Sequence, residues 1–214
     1  MEKDRIASLR SEYQLHTLDE AHLPETPFLA FQNWFKEAMD CGCREVNAMV
    51  LSTVNQEHKP SSRVVLLKEL DQNGFVFFTN YQSKKGMDLK INPHAALNFF
   101  WPELERQVRI EGTVEKISDG ESEAYFVSRP RLSQAGAIAS NQSQEIPDRT
   151  ELENRMKKLT ELPESEILQK PESWGGYRLK PVYLEFWQGR PGRLHDRIAY
   201  ELSNEIWRKF RLSP

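Results

Sequence analysis

Arg63-Val64-Val65-Leu66-Leu67-Lys68 places four aliphatic residues in a row between two cations, with turn signals beyond each end. That pattern predicts a buried strand carrying positive charge at both rims. An ammonium or guanidinium beside an apolar run costs free energy unless an anion meets it. Two readings stand on the segment alone: the side chains reach water along their aliphatic stems, or one or both face a carboxylate or a ligand phosphate.

Working outward, strands surround this stretch. Val46 to Val54 alternates, Gln56 to Pro60 reads as a turn, and Ser61 to Lys68 completes a hairpin. Asn73-Gly74 then signals a tight turn before a strand from Phe75 to Thr79. Ser83 to Asn92 has helical character closed by Pro93, and Ala95 to Trp101 is a further strand. Val108, Ile110, Gly112 and Val114 alternate with Arg109, Glu111, Thr113 and Glu115, as a half-exposed strand requires. The tail returns to strands: Tyr177 through Val182 to Trp187, Arg193 to Leu202 and Trp207 to Leu212.

Helices are predicted around these strands. Residues 4 to 14 carry Ile6, Leu9 and Tyr13 on one stripe, and Thr26-Pro27 starts a helix that presents Phe28, Phe31, Phe35 and Ala38 until Gly42. Ser118-x-x-Glu121 and Thr150-x-x-Glu153 read as capping boxes, and Arg129-Pro130 separates the first of these helices from another starting near Ser133. Short strands at close spacing without a βαβ rhythm predict a mainly β, α+β fold: an antiparallel barrel decorated by helices.

Composition sets bounds on function. The 214 residues are enough for one sizeable core, with 29% charged and 38% hydrophobic residues and a formal net charge of -3. Such a balance gives no global pull toward nucleic acid or membranes, so any anion site must be local. The charged start Met1-Glu2-Lys3-Asp4-Arg5 lacks a signal-peptide core, and a cytoplasmic location is expected. Cys41 and Cys43 flank Gly42 and are expected to be reduced thiols, and the five histidines show no metal-ligand spacing, so no metal is expected. Rossmann, P-loop and nucleophile-elbow motifs are absent from the sequence.

Three basic clusters remain. In Arg193-Leu194-His195-Asp196-Arg197 a strand would put Arg193, His195 and Arg197 on one face, which suits either an anionic or electron-rich ligand or a solvated basic surface. Trp187 upstream is either a wall for a ring system or a structural tryptophan. Tyr125, Arg129 and Ser133 at a helix junction offer a hydroxyl, a charged fork and backbone N–H groups suited to phosphate, against a reading as surface residues beside a helix-stopping proline. Lys84 and Lys85 near a helix start oppose the dipole preference and hint at an anion, or form a solvated loop.

Taken together, Arg63 to Lys68, Phe77-Phe-Thr-Asn80, Leu104-Glu-Arg-Gln107, Ser128-Arg-Pro-Arg131 with Ser133-Gln134, Trp174-Gly-Gly176, Glu185-Phe-Trp-Gln-Gly189, Arg193 to Arg197 and Arg211-Leu-Ser-Pro214 resemble the pyridoxine/pyridoxamine 5′-phosphate oxidase family, in order, from about Leu9 to the last residue. The resemblance implies a homodimeric Greek-key FMN-binding split barrel with flavin at the subunit interface. It also implies oxidation of pyridoxine or pyridoxamine 5′-phosphate to pyridoxal 5′-phosphate by dioxygen, with hydrogen peroxide as product. On this view residues 1–25 are a mobile N-terminal segment and 26–214 a single split-barrel domain with helical additions.

Carried over by motif, Arg63, Lys84, Lys85, Gln107, Gln142, Ser143, Trp187 and Arg197 resemble flavin-binding positions, with Val64, Val65, Leu66, Leu67, Lys68, Phe78 and Thr79 contributing. Lys68, Tyr125, Arg129 and Ser133 resemble the substrate-phosphate cradle, and Arg193 and His195 resemble the catalytic groups over the pyridine ring. Arg10 and Tyr13 match residues that fold over the site. Two departures stand out: Lys84 where arginine is common, which loses a bidentate fork, and Glu45-Val46-Asn47-Ala48-Met49 in place of Asp-Pro-Thr-Ala-Met, which leaves the role of Glu45 open. A split-barrel protein that binds flavin or a B6 phosphate without turnover, and a flavin reductase-like enzyme, are the competing readings. One geometric difficulty follows: residues five apart on a regular strand face opposite ways, so Arg63 and Lys68 share a site only if a bulge turns one of them, and otherwise serve sites separated by the sheet or built with the other subunit.

Overall fold

In the computed structural model, which describes residues 8, 9 and 12–214, Thr26 and Pro27 open helix α1 (Pro27–Asp40), although the Thr26 side chain makes no cap bond. The helix buries Pro27, Ala30, Phe31, Trp34 and Ala38 on one stripe of the helical period. Of the helix expected over residues 4 to 14, residues 4–7, 10 and 11 lie outside the described residues, and Glu12, Tyr13 and Gln14 are not helical.

The chain then runs β1 (Ala48–Val54), β2 (Pro60–Leu66), β3 (Glu69–Asp71), β4 (Gly74–Asn80), α2 (Lys84–Ile91), β5 (His94–Trp101) and β6 (Arg106–Lys116). Helices α3 (Asp119–Ser128), α4 (Arg131–Ala139) and α5 (Arg149–Thr160) follow, then β7 (Trp174–Gln188), β8 (Asp196–Ser203) and β9 (Ile206–Leu212). The strands form one sheet in the order β2-β1-β5-β6-β7-β4-β3, with β8 on β7 and β9 on β8. The expected α+β arrangement is thus present, with antiparallel pairing where β3 meets β4, β4 meets β7, β7 meets β8 and β8 meets β9. Among the described residues, no helix is long and apolar enough to cross a membrane.

The chain folds as two compact units. One comprises the N-terminal portion to Met49, Leu97–Glu111 and Val182–Pro214. Its core is aromatic: Phe31 packs on Phe99 at 5.0 Å, and Trp34 stands edge-on to Phe186 at 5.1 Å. The Arg106 guanidinium lies 4.4 Å over the Trp34 ring and donates to Gln188 at 2.9 Å. Strand β8 pairs with β7 in a register that sets Arg197 opposite Trp187.

The other unit comprises Val50–Ala96 and Gly112–Pro181. In β4 every residue except Phe78 is buried. The turn between β3 and β4 is closed by Asp71, whose Oδ1 accepts from the N–H groups of Asn73 at 2.7 Å and Gly74 at 2.9 Å. The capping box of α3 forms as predicted, with Ser118 and Glu121 bonding reciprocally. At Gly112 a Cβ would come within 2.0 Å of the Lys180 carbonyl oxygen, so only glycine permits this approach of β6 to β7.

Four expectations are corrected. Strand β2 is not buried in the single chain: its residues alternate between exposed and half-buried, and Val64 is 64% exposed. An aliphatic run signals burial, but β2 ends the hydrogen-bonded order, and the described residues leave one of its faces exposed. The cap of α5 is Asp148, whose side chain accepts from the Glu151 N–H, so Thr150 falls inside the helix. Arg193 and His195 do not lie on a strand. Pro191 and Gly192 fold Pro191–Arg193 into a 3-10 turn, Arg193 has φ 62, and β8 begins only at Asp196. Finally, of the backbone N–H groups expected at the junction of α3 and α4, those of Ser133 and Gln134 are already engaged, donating to the Pro130 carbonyl at 2.8 and 3.1 Å.

Candidate functional site

A cavity of about 850 Å³ opens in the second of these units, lined by β2, β4, α2, α3, α4 and the start of β7. Of the residues singled out from the sequence, Arg63, Val64, Val65, Leu66, Lys68, Phe78, Thr79, Lys85, Tyr125, Arg129, Ser133 and Gln142 line it. Lys68 reaches it because β2 stops at Leu66 and the Lys68 N–H turns to donate to Val76 O on β4 at 2.9 Å. The strand alternation therefore ends before Lys68, which resolves the five-residue spacing: both cations face one cavity. Leu67, Lys84 and Ser143 belong to the same unit without lining it.

Charge in this cavity is one-sided. Among the described residues, Arg63, Lys68, Lys85 and Arg129 line it, and no carboxylate does. Arg63 is anchored from behind, donating to Thr53 Oγ1 at 2.7 Å, Ser61 Oγ at 2.6 Å and Leu51 O at 3.2 Å, with Asp88 at 3.8 Å. Burial lowers the Arg63 pKa, and Asp88 opposes that shift. Asp88 is itself 4% exposed and accepts from Thr53 Oγ1 at 2.8 Å, while Lys84 points to it at 3.7 Å rather than into the cavity.

Lys85 is buried at the start of α2 and donates to Gln142 Oε1 at 2.8 Å, Thr79 Oγ1 at 3.2 Å and Ser83 Oγ at 3.3 Å. Burial, reinforced by the Arg63 charge, lowers its pKa to about 8. Arg129 leaves a buried Nη1 without a hydrogen-bond partner. Burial lowers its pKa as well, and its guanidinium lies 4.9 Å over the Trp174 ring. A buried guanidinium nitrogen without an acceptor is costly, and an anion entering the cavity would supply one. Beside it, Phe78 stacks on Tyr125 at 3.9 Å and on Trp174 at 5.3 Å, forming a near-parallel aromatic wall.

The remaining candidates belong to the first unit. Glu185 is 2% exposed and receives Arg197 in a bidentate pair, Nε to Oε1 at 2.8 Å and Nη2 to Oε2 at 3.0 Å. Arg109 Nη1 at 3.2 Å and the Tyr183 hydroxyl at 3.2 Å also donate to it. Burial alone would raise the Glu185 pKa, yet Arg197 and Arg109 hold it below the usual carboxylate value. Arg197 Nη1 donates further to Ser213 O at 2.8 Å. Gln107 lies half-buried on β6.

His195 packs at 4.6 Å from the Trp187 ring and at 5.8 Å from Tyr13. Its Nδ1 accepts the Arg190 N–H at 3.1 Å, so the neutral ring carries its proton on Nε2. Burial, with the nearby Arg193 charge, lowers the His195 pKa and favours that neutral form. Arg193 is exposed, and Arg10 lies outside the described residues.

Sequence reasoning missed Glu185, Asp88 and Glu105. Each is an acidic residue with at least one partner from a distant part of the chain, and Glu185 alone carried a local signal, as the lone acidic residue within the apolar run Val182 to Trp187. Among the described residues, no group of three or more His, Cys, Asp or Glu is placed to hold a metal ion. Burial and neighbouring Glu103 raise the Cys43 thiol to about 11, which makes it a poor nucleophile.

Comparison with known proteins adds the following. Residues 35–162 match the family model described as pyridoxamine 5′-phosphate oxidase, and residues 174–214 match the pyridoxine 5′-phosphate oxidase C-terminal dimerisation region. A pyridoxine/pyridoxamine 5′-phosphate oxidase of Cytophaga hutchinsonii is 49% identical over 214 residues, covering 99% of this chain and 100% of that protein. One from Polynucleobacter asymbioticus is 52% identical over 211 residues, covering 99% and 100%. Among solved structures, PhzG from Burkholderia lata 383, in complex with tetrahydrophenazine-1-carboxylic acid, superposes with TM-score 0.89 at 29% identity, covering 95% of this chain and 100% of that one. A pyridoxamine 5′-phosphate oxidase-related FMN-binding protein of Nostoc punctiforme shares the fold, with TM-score 0.71 at 16% identity, covering 88% and 98%. The fold is the antiparallel split barrel with peripheral helices.

Proposed function

The chain belongs to the pyridoxamine 5′-phosphate oxidase family, and from that premise we propose that it catalyses the FMN-dependent oxidation of pyridoxine or pyridoxamine 5′-phosphate to pyridoxal 5′-phosphate. Dioxygen accepts the two electrons and leaves as hydrogen peroxide; with pyridoxamine phosphate, one water enters and ammonia leaves. The observation that carries the proposal is the cavity, which among the described residues is lined by four cations and no carboxylate, with an unpartnered Arg129 nitrogen beside a stacked aromatic wall. Such a donor set fits phosphate esters of planar ring compounds.

Arg63 and Lys85, with Thr79 and Gln142, are the groups for the flavin phosphate. Lys68, Tyr125, Arg129 and Ser133 are those for the substrate phosphate. When bound, FMN supplies the acceptor for a hydride leaving substrate C4′ and returns the electrons to dioxygen. The protein's part is positioning and electrostatics, because this chemistry needs aligned rings rather than a strong protein nucleophile. Arg193 and His195 hold the pyridine ring. His195, neutral with its proton on Nε2, orients as a hydrogen-bond donor. Trp187 and Arg197 serve the flavin, with Glu185 holding the Arg197 fork.

The active form in this reading is a cytoplasmic homodimer with the flavin in the cleft where the subunits meet. The match to a dimerisation region over residues 174–214 and the exposed Val64 and Leu66 of β2 support a second copy. The test is direct: purified protein should be yellow, and with pyridoxine phosphate it should form pyridoxal phosphate and peroxide in equal amounts. Protein that stays colourless with added FMN and makes no pyridoxal phosphate would end this reading, whereas flavin binding without turnover would favour a non-catalytic binding protein.

A further inference from the structure

We propose that Glu105 is a positioning residue that latches the N-terminal strap and seats Tyr13 against Trp187 and His195; the inference rests on the oxidase reading for its functional meaning. Glu105 Oε2 accepts two successive backbone N–H groups, Gln14 at 2.8 Å and Leu15 at 3.0 Å, across about ninety residues of sequence. The residue just before them, Tyr13, places its ring edge-on to Trp187 at 5.5 Å and 5.8 Å from His195. The strap lacks regular structure at residues 12–14, so these bonds do for it what a helix or strand ladder does elsewhere.

The receiving surface is built to match. Gly189 lies under Tyr13, where an added Cβ would stand 2.6 Å from Tyr13 Cγ and 3.1 Å from Glu105 Cβ. The Gly189 N–H donates to Glu105 O at 2.8 Å, so the seat and the latch are fixed to each other. Glu105 itself has φ 53 and ψ 39, between the 3-10 turn Pro102–Leu104 and β6. Glutamate is a poor choice for left-handed backbone, where asparagine or glycine is easier. The long carboxylate is explained by what it reaches, not by the turn it occupies.

Tyr13 borders the two rings assigned to flavin and substrate, so the latch acts on how the substrate is enclosed rather than on flavin retention. The experiment uses the FMN-loaded protein and its Glu105→Asn and Glu105→Gln variants. Asparagine suits the turn but is too short to reach the strap; glutamine keeps the reach and one acceptor oxygen. In Glu105→Asn, amide hydrogen exchange at Gln14 and Leu15 should quicken by about ten-fold or more, the size expected for losing hydrogen bonds to a charged acceptor. The KM for pyridoxine phosphate should rise by about ten-fold, with kcat and flavin retention little changed, and Glu105→Gln should recover part of both effects.

Adding Tyr13→Ala to Glu105→Asn should raise KM no further than Tyr13→Ala alone. Unchanged exchange at both amides would overturn the latch. Faster exchange with an unaltered KM would overturn its positioning role. Should the unaltered protein fail to oxidise pyridoxine phosphate, the oxidase reading would fall, and the exchange data would still decide whether Glu105 holds the strap.

Discussion

Replacing Glu185 with glutamine keeps the shape of a buried side chain and removes the charge that four hydrogen bonds converge on. Arg197 gives two of them, at 2.8 and 3.0 Å, and Arg109 and Tyr183 give one each, at 3.2 Å. Removing one partner of a buried pair costs roughly 3–5 kcal/mol. The lower end applies, because Arg109 keeps Glu111 at 2.6 Å and the Arg197 side chain is 26% exposed. About 3 kcal/mol in a chain of this size corresponds to a fall in Tm of about 6–12 °C, measured by thermal circular dichroism at pH 7. The pH dependence gives a second check. The folded carboxyl sits below its ordinary value of 4.5, so its stabilisation is complete above that value and is lost as pH falls through the lower folded value. The gap between the two proteins should therefore be widest near neutrality and close on acidification. A fall of less than about 1 °C at pH 7, the scale of a solvated surface pair, or a gap that persists undiminished in acid, would refute the reasoning.

Lys85 titrates in the opposite sense. Its folded pKa of about 8 means the cation is lost as pH rises through that value, so FMN affinity should weaken above pH 8 by up to about ten-fold per pH unit, while riboflavin, which lacks the phosphate, should show no such trend. Flavin fluorescence titrations at several pH values, repeated on Lys85→Met, would show whether the dependence belongs to this side chain. Arg63→Ala should release FMN first, measured by flavin retained on gel filtration, whereas Arg193→Ala should lower turnover while flavin stays bound; equal flavin loss from both would undo the division of roles. Gly112→Ala forces a Cβ to within 2.0 Å of the Lys180 carbonyl, and should cost at least about 1–3 kcal/mol in chemical denaturation.

Features set by neighbours in the chain were legible in the sequence. The Ser118–Glu121 box, the turn before Gly74 and the Thr26-Pro27 helix start all depend on residues within a few positions of one another. The cavity cations, spread from Arg63 to Arg129, became legible only once several motifs had been read together. The exceptions have physical causes. Asp148 took the α5 cap two residues before Thr150, because aspartate is at least as good a cap and stood first. Pro191-Gly192 broke the period-two reading of Arg193 and His195, and strand termination at Leu66 defeated the parity of Arg63 and Lys68. Glu105 and Asp88 were silent, since an acidic residue shows its purpose only when pairing brings its partner from 91 or 35 positions away, and Glu185 gave no more than its place in an apolar run.

The position of β2 at the end of the sheet also matters for how the protein must be made and handled. A terminal strand with Val64 and Leu66 exposed offers open backbone groups beside an apolar face, the combination that recruits other strands indiscriminately. In the homodimer proposed above, a newly folded chain whose β2 face is still uncovered is both a building block and an aggregation seed, and the outcome is set by a race between correct and incorrect encounters. Correct pairing has the advantage of a complementary surface, and incorrect pairing has the advantage of needing none. Dilution and the order in which cofactor and chain are mixed during refolding therefore become variables that decide yield as much as the stability of the finished fold does.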